Sequence, residues 1–171
     1  THDALAELLR PVEKSQAPES DGPIKMYPQV YQGSMEWHAL RCGLLTASEM
    51  KHIITPAKLQ FAANDKCRSH VFELLAQRIT RYVEPSYVSD DMLRGRDDEI
   101  DARELYHTEI AEVREVGFIT NSSYGFTLGY SPDGLVGEDG QIEVKGRRQK
   151  FQMEAIITSE VPIENMVQIQ T

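Results

Sequence analysis

Gly129-Tyr-Ser-Pro-Asp133-Gly-Leu-Val-Gly137-Glu-Asp-Gly140-Gln-Ile-Glu143-Val-Lys145 is the stretch on which the reading of this chain turns. Gly137-Glu-Asp-Gly140 is a hairpin turn signal, flanked by strand-like Leu135-Val136 and Gln141-Ile-Glu-Val-Lys145. Asp133 stands just before a glycine, where the hairpin begins. Glu143 and Lys145 are two apart on the second strand, so they share a face. Val144 points the other way and can anchor the strand. Folding the hairpin brings Asp133 back beside Glu143, and two carboxylates and one amine converge.

That convergence has a chemical use. Hard divalent cations such as magnesium take carboxylate and carbonyl oxygens. An ion held by Asp133 and Glu143 can lower the pKa of a bound water and polarise a phosphate. Lys145 can orient that water or stabilise developing charge. The backbone carbonyl of Val144 is a further candidate ligand. A bare Glu-x-Lys on a strand is more often a surface salt bridge, so the surroundings have to decide.

Outward from the hairpin, Phe118-Ile-Thr and Phe126-Thr-Leu-Gly-Tyr130 read as strands. Before them the apolar spacing is helical. Residues 36–42 predict a helix with Gly43 as its C-terminal cap. Thr46-Ala-Ser-Glu49 has the form of a capping box opening a helix to about Ile54. Residues 67–82 carry Val71, Leu74, Leu75 and Ile79 at helical spacing. Residues 97–113 do so with Ala102, Leu105, Tyr106, Ile110 and Val113. After the hairpin, 151–159 returns to helix, and 163–171 begins another. Residues 1–10 predict a short helix, and 11–23 a polar linker, so residues 1–25 read as an arm and the domain as 26–171. The last apolar pattern is still running at Thr171, so the domain is expected to continue. Methionines and aromatics outside these motifs read as core.

The 171 residues suffice for one domain with a real core. No apolar run is long enough for a membrane span, and no signal peptide pattern opens the chain. Cys42 and Cys67 are too few and too isolated for a zinc or iron–sulfur site. A reduced, cytoplasmic setting is the expectation. The net charge of -9 argues against a nucleic-acid binder, but its distribution is uneven. Residues 90–115 hold ten acids against four arginines, whereas Lys145-Gly-Arg147-Arg148-Gln-Lys150 is wholly basic in its charges. That basic run reads equally as a DNA-facing surface and as a solvated face. Divalent ions would supply further positive charge at the site. The histidines show no ligand spacing.

Four separated motifs resemble the PD-(D/E)xK nuclease superfamily, and more closely the lambda-type phage exonuclease family of YqaJ-like viral recombinases. They are Trp37-His-Ala-Leu-Arg41-Cys-Gly43-Leu-Leu-Thr46-Ala-Ser48; Gly95-Arg-Asp-Asp-Glu99-Ile-Asp-Ala102-Arg103-Glu-Leu-Tyr106; the hairpin with Ser131-Pro-Asp133 and Glu143-Val-Lys145; and Gln168-Ile-Gln170. The resemblance implies an α/β (α+β) restriction-endonuclease-like core, a central mixed sheet flanked by helices. It implies that Asp133, Glu143, Glu99 and the Val144 carbonyl bind Mg2+ (or Mn2+), and that Lys145 positions the attacking water. Glu99, Ala102, Arg103 and Tyr106 share a helix face, as that role needs. It further implies that Arg41 and Ser48, with Ser131 and Gln168, hold a 5′-terminal phosphate. Arg makes charge-assisted, bidentate bonds to phosphate, and a Ser at a helix N-terminus adds a donor. Trp37, one turn before Arg41, reads as a core aromatic bracing its helix.

The implied activity is a metal-dependent 5′-to-3′ exonuclease of phage or prophage origin. It would degrade one strand of linear duplex DNA from 5′-phosphorylated ends and leave 3′ overhangs. A homotrimer and a single-strand annealing protein are the implied partners. The alternatives are a PD-(D/E)xK endonuclease in restriction or repair, and a non-catalytic DNA-binding protein on the same fold.

Overall fold

The change from helical to alternating period near residue 118 is where the chain lays down the two central strands of its main sheet. The structure, a computed structural model, describes residues 21–85 and 90–169. The expected helix over 1–10, residues 11–20 of the arm, and Gln170 lie outside the described residues. In chain order the elements are β1 (Ile24–Tyr27), α1 (Met35–Arg41), β2 (Leu45–Thr46), a 3₁₀ turn (Ala47–His52), β3 (Ile54–Thr55), β4 (Gln60–Phe61), α2 (Asp65–Thr80) and α3 (Asp90–Glu109). There follow β5 (Val113–Arg114), β6 (Phe118–Asn121), β7 (Leu128–Tyr130), β8 (Gly134–Val136), β9 (Gly140–Ile142), α4 (Gln149–Thr158) and α5 (Ile163–Ile169).

The main sheet has the order β1-β6-β7-β2 and is mixed: β1–β6 and β6–β7 are antiparallel, β7–β2 parallel. A second antiparallel sheet, β5-β8-β9, contains the expected hairpin, with Gly137 in the left-handed conformation at φ 61°. Together with the helices this is the α+β architecture expected, with a central mixed sheet. Strand pairing begins at Ile24, opposite Asn121, so the arm boundary at Met26 falls inside β1.

Phe118 and Thr46 are the largest fully buried side chains. They face each other across Gly129 of β7, where an added Cβ would stand 2.6 Å from Phe118 Cζ and 3.3 Å from Thr46 Cγ2. A glycine is therefore required by close approach, not by a turn. Beside it lies a small core of Met50, Leu128 and Val167, flanked by Leu45, Ile53 and Ile54. This core seats α5 on the 3₁₀ turn.

Several local expectations are corrected. The segment after Thr46 is a 3₁₀ turn ending at His52, and Ile54 belongs to β3. The Thr46 side chain makes no capping bond to backbone: its oxygen takes Arg41 Nη2 and Ser48 Oγ in place of a backbone N–H, while its hydrogen goes to the Glu49 carboxylate. Helix α1 ends as expected: Cys42 is its cap and Gly43 is left-handed at φ 70°. Helix α3 starts earlier than 97 and ends before Val113. The apolar stripes of α2 and α3 are not core: Val71 and Leu75 are each 49% exposed, Ile79 74% and Leu105 64%. The reason is the face that packs. Helix α2 turns Cys67 and His70 inward, and these lie off the Val71–Leu75–Ile79 stripe. Tyr31, Met35, Phe61, Phe72, Tyr124 and Phe126 are likewise exposed, against the expectation that methionines and aromatics are core. Cys42 and Cys67 are free thiols. Among the described residues, no helix is long and apolar enough to cross a membrane.

Candidate active site

The β8–β9 register pairs Gly134 with Ile142, so the next step sets Asp133 opposite Glu143. Pairing stops there for a physical reason. The Val144 N–H, which would continue the ladder, donates instead to Asp133 Oδ2 at 2.6 Å. Glu143 and Lys145 therefore stand just past β9 and not within a strand, which corrects the sequence reading while preserving their juxtaposition. An added Cβ at Gly134 would meet Val113 Cγ1 at 2.3 Å, so β5 packs tightly against the base of the hairpin.

Asp133 is 7% exposed, and its carboxyl is pushed up to about 6. Burial is the first cause; the Glu143 and Glu99 charges add to it, and the Val144 N–H and Lys145 oppose it. Glu143 is the convergence point. Its Oε1 accepts from both Lys145 Nζ and Gln168 Nε2, and its Oε2 accepts from the Tyr130 hydroxyl at 3.1 Å. Burial, then Glu143, raises the Tyr130 pKa, so Tyr130 remains a hydrogen-bond donor.

Glu99 approaches from α3. Its pKa is raised, first by burial and then by Glu143, against the opposing charge of Arg103. Arg103 Nη1 donates to Glu99 Oε1 and to the Asp133 carbonyl, each at 3.2 Å, and Nη2 lies 3.3 Å from Glu115 Oε1. One guanidinium thus ties the helix to the hairpin. The approach also needs glycines: an added Cβ at Gly146 would stand 3.0 Å from Asp98 Oδ2 and 3.4 Å from Gly95 Cα.

These groups fit a hard divalent cation in their chemistry. Asp133, Glu143 and Glu99 are oxygen donors, and the charge on Glu143 raises the pKa of both Asp133 and Glu99, a repulsion that a cation would relieve. They are not closed into a cage: among the described residues, no three His, Cys, Asp or Glu groups are gathered tightly enough to hold a metal as they stand. For Val144, it is the N–H that engages Asp133.

Beside the carboxylates opens a pocket of about 170 Å³ lined by Arg41, Ser48, Ser131, Gln168, Glu143 and Lys145, with Trp37, Thr46 and Tyr130 in its walls. All four residues expected at a terminal phosphate are thus gathered beside the hairpin. Trp37 is not core. It is half-buried, donates from Nε1 to Ser131 Oγ at 2.8 Å, and carries the Arg41 guanidinium 4.2 Å above its ring. Helix α1 holds Arg41 there because its end is pinned to α2: Gly43 N donates to Gln77 Oε1 at 2.9 Å, and Arg78 Nε donates to the Gly43 carbonyl at 2.7 Å.

The basic run after Lys145 is divided. Lys145 turns to Glu143, Arg147 lines a separate apolar groove with Phe151 and Met166, and Lys150 lies 5.6 Å above the Phe151 ring. The sequence reading missed Tyr130, Thr46 and the bridging part of Arg103. Each lies within or beside a motif, but none carried a signal of its partner.

The geometry can be set beside known proteins. The crystal structure of an alkaline exonuclease (LHK-Exo) from Laribacter hongkongensis is 32% identical with a TM-score of 0.67, covering 79% of this chain and 64% of that one. The structure of LHK-Exo in complex with dAMP is 33% identical with a TM-score of 0.69, covering 80% and 66%. The chain therefore spans slightly less than two thirds of the length of these relatives. A comparison with curated proteins gives no match. The fold is that of the PD-(D/E)xK type seen in these exonucleases. A family model described as the YqaJ-like viral recombinase domain matches residues 36–171, and the chain belongs to that family.

Proposed function

We propose that this chain carries the active site of a DNA exonuclease that degrades one strand of linear duplex DNA from a 5′-phosphorylated end. The observation that carries the reading is the continuity of two features: Glu143, which stands opposite Asp133 at the end of the hairpin, and Lys145 line the same pocket as Arg41, Ser48, Ser131 and Gln168. Support comes from membership of the viral recombinase family and from likeness to the alkaline exonuclease LHK-Exo, in one structure in complex with dAMP.

In this mechanism Asp133, Glu143 and Glu99, with the Val144 carbonyl, hold Mg2+ (or Mn2+). The ion, when bound, supplies Lewis acidity toward the scissile phosphate and acidifies water. The chain's own groups do the positioning. Lys145 orients the attacking water and neutralises developing charge. Tyr130 and Gln168 hold the Glu143 carboxylate in one rotamer. Arg103 keeps Glu99 and the hairpin in register. Arg41, stacked on Trp37, takes the terminal phosphate with Ser48 and Ser131. Holding that phosphate beside the carboxylates sets which bond is cut and ties the enzyme to ends. The 3′ overhang left behind suits a single-strand annealing partner, and a homotrimer around the duplex would keep the enzyme on its substrate. The domain is taken to include β1 from Ile24, with the residues before it as an N-terminal arm, working in the cytoplasm of a phage-bearing host.

The test is digestion of linear duplex DNA carrying 5′-phosphate or 5′-hydroxyl ends, with closed circular DNA alongside, in magnesium. Rapid loss of the phosphorylated linear DNA alone is expected. Cutting of the circle would replace this reading with an endonuclease, and no digestion together with no magnesium binding would replace it with a non-catalytic protein. Arg41→Ala should reduce the preference for phosphorylated ends about tenfold or more, the scale of one charged hydrogen bond. Equal loss on both ends would remove the pocket from the mechanism.

A further inference from the structure

Behind the pocket wall, Arg41 is backed by a chain of polar groups to which the mechanism above gives no part. Arg41 Nη2 donates to Thr46 Oγ1 at 3.2 Å, and the Thr46 hydroxyl donates to Glu49 Oε2 at 2.8 Å. Ser48 Oγ lies 3.3 Å from the same Thr46 oxygen. A hydroxyl has one hydrogen and two lone pairs, and a carboxylate only accepts. The Thr46 hydrogen is therefore committed to Glu49, and its lone pairs are left to Arg41 and Ser48. Ser48 must be the donor in its contact.

Glu49 is itself backed by a buried ring. His70 is 5% exposed; its Nε2 lies 3.8 Å from Glu49 Oε2, beyond hydrogen-bond reach and without a partner, and its Nδ1 lies 3.2 Å from Glu73 Oε2. One flank of Glu49 thus faces protein and not water, which strengthens its field at Arg41. Burial pulls the Arg41 pKa down, and the charge on Glu49 pulls it back. The counter-charge reaches the guanidinium through Thr46, by way of its Nη2.

We infer that Thr46 and Glu49 are positioning residues that orient Arg41 for a terminal phosphate before it arrives. Fixing donors in advance spares the ligand the cost of ordering them. This rests on the end-phosphate reading given above, but it does not require the chain to cut DNA.

The test is calorimetric titration of dAMP into the metal-free chain, with deoxyadenosine as the phosphate-free control. The variants are Thr46→Val, Thr46→Ser, Glu49→Gln and Arg41→Ala, each first checked by thermal melting. Thr46→Val should weaken dAMP binding about tenfold or more, and Thr46→Ser, which keeps the hydroxyl, should restore it to within about threefold. Glu49→Gln keeps the side-chain shape and should also weaken it about tenfold, so the inference stays testable if Thr46→Val does not fold. Wild-type affinity in Glu49→Gln and in a folded Thr46→Val overturns it, as does a Thr46→Ser no better than Thr46→Val. Wild type that binds dAMP no better than deoxyadenosine overturns the end-phosphate pocket and this inference together. Lack of DNA digestion alongside the expected dAMP pattern would remove only the exonuclease reading.

Discussion

Asp133 shows how one side chain serves both the fold and the site. Its Oδ2 takes the Val144 N–H at 2.6 Å, and its backbone carbonyl takes Arg103, so it closes the hairpin at the same time as it sets a carboxylate opposite Glu143. The cost is electrostatic. With its pKa pushed up to about 6 from the ordinary 3.8, the folded chain resists ionising it. For an acid whose folded pKa is raised, the stabilising contribution is complete below the unfolded pKa and is lost as pH rises through the folded one. Asp133→Asn in metal-free protein should therefore raise Tm more at pH 8 than at pH 4, because only at high pH does it remove a buried charge; equal shifts at both would contradict the burial argument. The same variant should abolish cleavage, read as nucleotide release from linear duplex, since an amide is a poor ligand for a hard cation. Full activity would exclude Asp133 from the metal set.

Elements place these residues by close approach. Gly134 admits β5 to the base of the hairpin, and a Cβ there would sit 2.3 Å from Val113 Cγ1. Gly134→Ala should cost about 1–3 kcal/mol by overpacking, measured by denaturant unfolding. A cost below about 0.5 kcal/mol, the ordinary range of surface changes, would mean that β5 yields freely. Helix α2 is the brace for α1, and its start is set by Asn64, whose side chain accepts from Cys67 N at 3.0 Å. Asn64→Ala should cost about 1 kcal/mol. If α2 holds the end of α1 as described, this variant should also loosen Arg41 and weaken end preference; a stability loss with preference unchanged would separate the two helices.

At the scale of the whole molecule, Glu143 raises the pKa of Asp133 on the hairpin and of Glu99 on the helix, a repulsion that a divalent cation would relieve. Magnesium or manganese at saturating concentration should raise Tm, by about 2–3 kcal/mol of stabilisation at a hundredfold excess over Kd. The shift should vanish in Glu143→Ala, and a shift that survives would put the ion elsewhere. How much of this was legible in the chain depends on the range of the interaction. The hairpin, Gly43 at the end of α1, the long helices α2 and α3 and the strands from Phe118 on follow from local turn chemistry and period, and the sequence determined them by itself; the short strands β1 to β5 carry no such local signal. Spacing and motif resemblance together singled out Asp133, Glu143 and Lys145 as candidates, and Glu99 and Arg41 became candidates through the resemblance. What only the tertiary structure decided are the relations between segments distant in sequence: Tyr130 and Gln168 meeting on Glu143, Arg103 reaching the Asp133 carbonyl, and Trp37 leaving the core to cover Arg41 and hold Ser131. It also decided that α2 packs by Cys67 and His70 and not by its apolar stripe. Period tells which residues share a face, but the face that is buried is chosen by what the rest of the chain brings against it.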